Sequence, residues 1–138
     1  MSELSRIGVA LDNDLLEQFD SLIEERGYAS RSEAFRDLIR AELVQKALQA
    51  PGTKVVGTIT LVYDHHTRLL QDKLTDLQHQ YHQAIQSTLH IHLDHDHCLE
   101  VIVAAGKFAD MQTLANTLIS IKGVKHGHAH WSTSGAEL

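Results

Sequence analysis

One proline stands in this chain, and it divides two incompatible patterns. Pro51 lies in Gln49-Ala50-Pro51-Gly52-Thr53, where a helical repeat of apolar residues stops and an alternating one begins. Pro-Gly breaks regular structure, so the boundary is placed there: one domain over residues 1–50, a second over residues 54–138. With 138 residues in all, each half is small enough that its own core is marginal.

The first half reads strand, helix, helix. Ile7, Val9 and Leu11 alternate with Arg6, Gly8 and Ala10, the period of a short half-buried strand. Asp12 can cap a helix with its apolar stripe at Leu15, Leu16, Phe19, Leu22 and Ile23. Arg26-Gly27-Tyr28 forms the turn, and Ser30-Arg31-Ser32-Glu33 has the capping-box spacing that opens a second helix, continuing through Phe35, Leu38 and Ile39 to Leu48. A lone strand has two open edges, so the expected remedy is a dimer whose two strands pair as an antiparallel ribbon. That ribbon displays Arg6, Gly8 and Ala10 of both chains on one exposed face.

The second half reads strand, helix, strand, strand, helix, strand. Strands are expected over Val55–Tyr63, Thr88–Asp94, Cys98–Ala104 and Val124–Trp131, with helices over Thr67–Gln86 and Ala109–Ile121. This βαββαβ order is the ferredoxin-like arrangement, with both helices on one face of a four-stranded sheet. The whole chain is therefore α+β, and the uncovered sheet face is a second reason to expect assembly.

Composition narrows the class. The longest apolar run, Val101–Ala105, is too short to cross a bilayer, and the N-terminus lacks the pattern of a signal peptide. Cys98 is the single cysteine, so no intrachain disulfide can form. A soluble cytoplasmic protein is expected. Residues 1–50 carry six basic and ten acidic side chains, a balance that by itself argues against nucleic acid.

Eleven histidines all fall between His65 and His130. The segment His90-Ile91-His92-Leu93-Asp94-His95-Asp96-His97-Cys98 concentrates them. With Leu89, Ile91, Leu93, Leu99, Val101 and Val103 turned toward the helices, His90, His92 and Cys98 are expected together on the open face of the sheet. Two imidazoles and a thiolate suit nickel, copper(II), zinc or cobalt rather than magnesium or calcium. They also resemble a catalytic zinc site with one open position. Spacing alone does not choose among these. His65, His66, His82, His95 and His97, near element ends or on outward faces, are expected to be solvated; His126, His128 and His130 share one strand face and lean toward a structural part. A Cys-His nucleophile has little support, because no Gly-rich loop or nucleophile elbow precedes Cys98.

These residues resemble the nickel-responsive repressor family, NikR, along nearly the whole chain. The likeness is carried by Leu89-His90-Ile91-His92, by Asp94-His95-Asp96-His97-Cys98-Leu99-Glu100, by Gln78-His79, by Arg31-Ser32-Glu33-Ala34, and by Gly123-Val124-Lys125-His126-Gly127-His128. The resemblance implies a ribbon-helix-helix half and an ACT-like regulatory half. It implies that His90, His92 and Cys98 of one chain and His79 of a neighbour bind one square-planar Ni(II) per subunit. It further implies a homotetramer built as a dimer of dimers, acting on double-stranded operator DNA, with no membrane partner and no enzyme activity. Glu33 and Asp37 match positions that hold a second, hard cation such as K+. A helical projection gives a separate reason for sharing: His79 sits roughly 200° round the helix from Leu77 and is expected to point away from its own sheet.

One departure bears on DNA readout. The family presents an arginine and two hydroxyl-bearing residues to the base edges; here the outward positions are Arg6, Gly8 and Ala10. Arg6 can make a bidentate guanine contact, whereas Gly8 and Ala10 offer no side-chain hydrogen bond. Phosphate contacts fall to Arg31, Ser32 and the start of the second helix. The rivals are the same architecture sensing copper or zinc, an antitoxin-type DNA binder, and an enzyme with an open metal site.

Overall fold

A computed structural model describes residues 2–48, 50–67 and 69–134. Packing divides the chain into two compact units between Glu42 and Leu43. The division falls inside a helix and not at Pro51, because Val44 and Leu48 pack with the C-terminal core.

The N-terminal unit holds α1 (Asn13–Arg26) and the first turns of α2 (Arg31–Leu48). Asp12 caps α1 as expected, its carboxylate accepting from Leu15 N at 2.8 Å. Gly27 ends the helix at φ 73°, a left-handed conformation that only glycine adopts without penalty. Ser30 Oγ accepts from Glu33 N at 3.2 Å, and Glu33 reaches back to Ala29 N at 3.0 Å, so the box closes one residue early. Ala34 is buried, and the Phe19 and Phe35 rings meet at 4.8 Å.

The strand expected over Ile7–Leu11 is not formed in a single chain. Residues 2–12 have no regular structure, and Leu4, Ile7 and Val9 are exposed. A ribbon strand has nothing to pair with until a second chain supplies it.

The C-terminal unit contains β1 (Lys54–Asp64), α3 (Leu70–Gln80), β2 (Ile85–His92), β3 (His97–Lys107), α4 (Phe108–Ile119) and β4 (Val124–Ser132). The four strands form one antiparallel sheet in the order β2-β3-β1-β4. The expected helix over Thr67–Gln86 is shorter. It stops at Gln80, because Tyr81 leaves helical geometry and Ile85 already opens β2. The core lies between the sheet and α3 and α4: Ile59, Leu61, Tyr63, Ile102 and Ala104 face Leu70, Leu74, Met111, Leu114 and Leu118.

That core reverses the expected facing of the metal-ligand strands. Cys98, Glu100, Ile102 and Ala104 are the buried set of β3. His92 stands opposite Cys98, and His90 opposite Glu100, so the histidines lie on the helix side of the sheet. The open face instead carries Leu89, Ile91 and Leu93, which are 57%, 41% and 52% exposed. Alternation separates two sets of side chains; it does not reveal which set meets the core when the other awaits a partner. Among the described residues no helix is long and apolar enough to cross a membrane.

Candidate metal centre

The β3 ladder brings Cys98 beside His92, and the chain leaving β1 brings His65 over both. Cys98 Sγ lies 3.4 Å from His92 Nδ1 and 3.6 Å from His65 Nδ1. All three ligand atoms fall within 4.8 Å of one another. Cys98 itself is fully buried. Burial, reinforced by the carboxylates of Glu100, Asp94 and Asp64, pushes its thiol up from the ordinary value.

His90 borders this trio, its ring 5.1 Å from that of His92, but it engages a second cluster. Tyr63 Oη donates to Glu100 Oε2 at 3.1 Å and accepts from Gln71 Nε2 at 3.3 Å. Its only proton is thereby committed, so His90 Nδ1, 3.2 Å away, is the donor in their contact. A proton on Nδ1 leaves the Nε2 lone pair of His90 available to a metal. Gln78 Nε2 donates to Glu100 Oε1 at 2.9 Å, tying the last turn of α3 to the same carboxylate. Burial first, and the Glu100 charge second, raise the Tyr63 hydroxyl well above its usual value, which keeps it a proton donor.

The loop joining β2 to β3 is built by its own side chains. Asp94 accepts from the backbone of Asp96 and His97 at 2.8 Å each and from His97 Nδ1 at 2.9 Å. The His97 contact, followed by the two backbone contacts, holds Asp94 down from 3.8 to about 2. Lys125 Nζ in turn donates to His97 Nε2 at 3.0 Å.

His79 is not part of the cluster. It is exposed on the last turn of α3, in a shallow groove with Thr75, Gln78, His82 and Ile85. The expected reason for its separation fails, since His90, His92 and Cys98 lie on the helix side of the sheet as well. Its neighbour Gln78 turns inward to Glu100, and His79, about 100° further round the helix, is exposed. His65, expected to be solvated, sits half-buried against Cys98. Its sequence signal is weak; the one available hint is Glu100 among the apolar residues Leu99–Ala104, a charge that needs a polar network behind the strand. His126 and His128 face the open side, opposite Val62 and Thr60.

In the N-terminal unit Arg6, Gly8 and Ala10 are exposed. Arg6 lines a groove with Ser32 and Arg36 of α2. Arg31 makes a bidentate pair with Asp20 at 2.9 and 2.8 Å. Asp37 lies 3.6 Å from Arg40, and Glu33 is engaged in its cap.

The donor set fits a borderline divalent ion: one sulfur and two imidazole nitrogens already converge, with a third imidazole alongside. Comparison with known proteins agrees with this. Residues 56–132 match the model of the NikR C-terminal nickel-binding domain, and residues 5–46 match that of ribbon-helix-helix proteins of the copG family. A protein of Solibacter usitatus, provisionally named nickel-responsive regulator, is 64% identical over 100% of this chain and 99% of its own length. Proteins given the same name from Geobacter sulfurreducens and Geotalea uraniireducens are 54% and 52% identical over the same shares.

Proposed function

The chain belongs to the family of nickel-responsive regulators, a ribbon-helix-helix half joined to a nickel-binding half, and we propose that it represses nickel-uptake genes when Ni(II) is bound. We assign residues 1–50 to DNA binding and residues 54–138 to nickel binding and tetramerisation, with Val44 and Leu48 at the end of α2 packing into the C-terminal core, in a cytoplasmic, non-enzymatic regulator. The observation that carries the reading is the convergence of Cys98, His92 and His65 within 4.8 Å of one another, with the ring of His90 alongside.

His90, His92 and Cys98 of one chain, with His79 of a neighbour, are assigned as the ligands of one Ni(II) per subunit. A bound ion would supply charge that draws Cys98 into its thiolate form. The remaining tasks fall to the protein. Tyr63 and Glu100 fix the tautomer of His90, and Gln78 fixes the turn from which His79 projects. The exposed Leu89, Ile91 and Leu93 support burial of the open face in a homotetramer.

On the DNA side, Arg6, Gly8 and Ala10 are assigned to base edges of double-stranded operator DNA, and Arg31 and Ser32 to phosphates. The last assignment asks Arg31 to exchange Asp20 for a phosphate. Glu33 and Asp37 are assigned to a hard cation such as K+. Metal and DNA are linked if Ni(II) favours one arrangement of the paired DNA-binding halves.

The test is a selection of duplexes from a random-sequence pool with Ni(II) present. The selected duplex should bind tightly with Ni(II) and lose its preference over random DNA in chelator. Arg6→Ala should weaken that preference by about 1–3 kcal/mol, the worth of one bidentate base contact. Equal selectivity with chelator overturns nickel dependence; an equal response to copper or zinc assigns the architecture to another metal.

A further inference from the structure

β4 does not run evenly beside β1. Val62 pairs with His126 and Tyr63 with Val124, so Lys125 is an extra residue with no opposite number, a β-bulge. Two residues earlier, Gly123 adopts φ 105° and packs so close to Thr67 that a Cβ would come within 2.6 Å of the threonine methyl. A bulge re-aims the side chain it carries, and here the Lys125 ammonium reaches past the end of β1 to His97, the residue paired with Asp64. An ammonium has only protons to offer, so His97 Nε2, 3.0 Å away, accepts and the ring proton sits on Nδ1. That proton meets Asp94 Oδ1 at 2.9 Å and Oδ2 at 3.0 Å. Asp94 Oδ1 also takes the N–H groups of Asp96 and His97. A chain of donors thus runs from β4 through His97 to the carboxylate around which the turn between β2 and β3 is folded.

We propose that Lys125 is a positioning residue for the Cys98 centre: through His97 and Asp94 it holds the turn that keeps His92 opposite Cys98. The proposal rests on the reading of His92 and Cys98 as ligands. His92 ends β2 and Cys98 is the second residue of β3, so the turn between them sets their spacing. Leu93 N donates to His97 O at 2.9 Å, closing that turn. Neither Lys125 nor His97 has to touch the ion, since strand alternation sends His97 to the face opposite Cys98. Two ligands already at their spacing lose less conformational freedom when metal binds. Lys125 is exposed, so its hydrogen bond adjusts the affinity of the centre by a modest factor and does not decide whether metal binds.

The experiment competes the full-length protein against a chelator for Ni(II), reading sulfur-to-nickel charge transfer by absorption. Lys125→Met should bind Ni(II) about three- to tenfold more weakly than wild type, the worth of one charge-assisted hydrogen bond. Lys125→Arg, which also donates to an imidazole, should restore most of the affinity. In a His97→Ala background, Lys125→Met should have no further effect. In the metal-free protein, nitrogen NMR should find the His97 ring proton on Nδ1. Lys125→Met should lose that single form, and protection of the Asp96 and His97 amides should fall with it. The proposal is overturned if Lys125→Met keeps wild-type affinity, or if it weakens binding equally with and without His97, which marks a charge acting through space. Should no charge-transfer band form in wild type while the metal-free readouts still depend on Lys125, the tie stands and the Cys98 assignment falls.

Discussion

At the scale of single residues, Cys98 is the group whose protonation state decides what the centre can hold. Its thiol is buried and raised, so it is protonated at neutral pH, and a metal bound through the proposed Cys98 sulfur must displace that proton. Nickel uptake should release protons into weakly buffered solution and weaken as pH falls. Cys98→Ser should abolish the thiolate charge-transfer absorption; an unchanged nickel spectrum in that variant would remove Cys98 from the ligand set. Asp94 carries a separate pH dependence. Its carboxyl is lower in the folded loop than the ordinary 3.8, so its contribution is present above about pH 4 and is lost as pH falls toward about 2. Protection of the Asp96 and His97 amides, relative to their intrinsic exchange rates, should fall over that acid range, and Asp94→Asn should show the low protection at all pH values.

At the scale of elements, the order of strands and helices in the second half was legible, because breakers and apolar periods both marked it. The end of α3 was not. Leu77, Tyr81 and Ile85 continue a helical spacing in sequence, yet Ala84 N and Ile85 N both bond back to Tyr81 O, closing a turn that starts β2. The facing of β2 is hidden in the sequence for a different reason. Leu89, Ile91 and Leu93 are apolar because another chain is expected to cover them, whereas His90 and His92 lie over a polar network that includes Tyr63 and Glu100. Hydrophobicity marks burial in the assembled protein, not in one chain. The start of α3 holds a strain no periodicity reveals: Leu69 adopts φ 68° while 58% exposed. A left-handed non-glycine residue costs roughly 1–2 kcal/mol, and glycine gives part of that back to the unfolded chain. Leu69→Gly should therefore stabilise the fold by about 0.5–1 kcal/mol, seen as a higher urea midpoint at unchanged slope.

For the whole molecule, the proposed shared centre gives an all-or-none test. His79 is exposed and outside the inner cluster of its own chain, while Cys98 is buried within it. His79→Ala and Cys98→Ala proteins should each lack the four-ligand site. Mixed under conditions of proven subunit exchange, they should regain part of the nickel binding, because a chain with intact Cys98 meets neighbours with intact His79. No recovery would refute sharing. Metal and assembly should also support each other by mass action, so Ni(II) should shift dissociation of the oligomer to lower protein concentration.

The sheet order places β2, the strand bearing His90 and His92, at an edge, hydrogen-bonded on one side only, to β3. Cys98 belongs to the interior of the sheet. Edge strands fray at far smaller free energies than a core opens. Peeling β2 back would withdraw two of the proposed ligands together while Ile59, Leu61 and Ile102 stayed packed. With His90 and His92 as ligands, and β2 free of a neighbouring chain, the lifetime of a bound ion would be governed by that local peeling and not by global unfolding. A regulator built this way can forget a metal signal within the life of a single folded molecule, and needs neither degradation nor resynthesis to be reset.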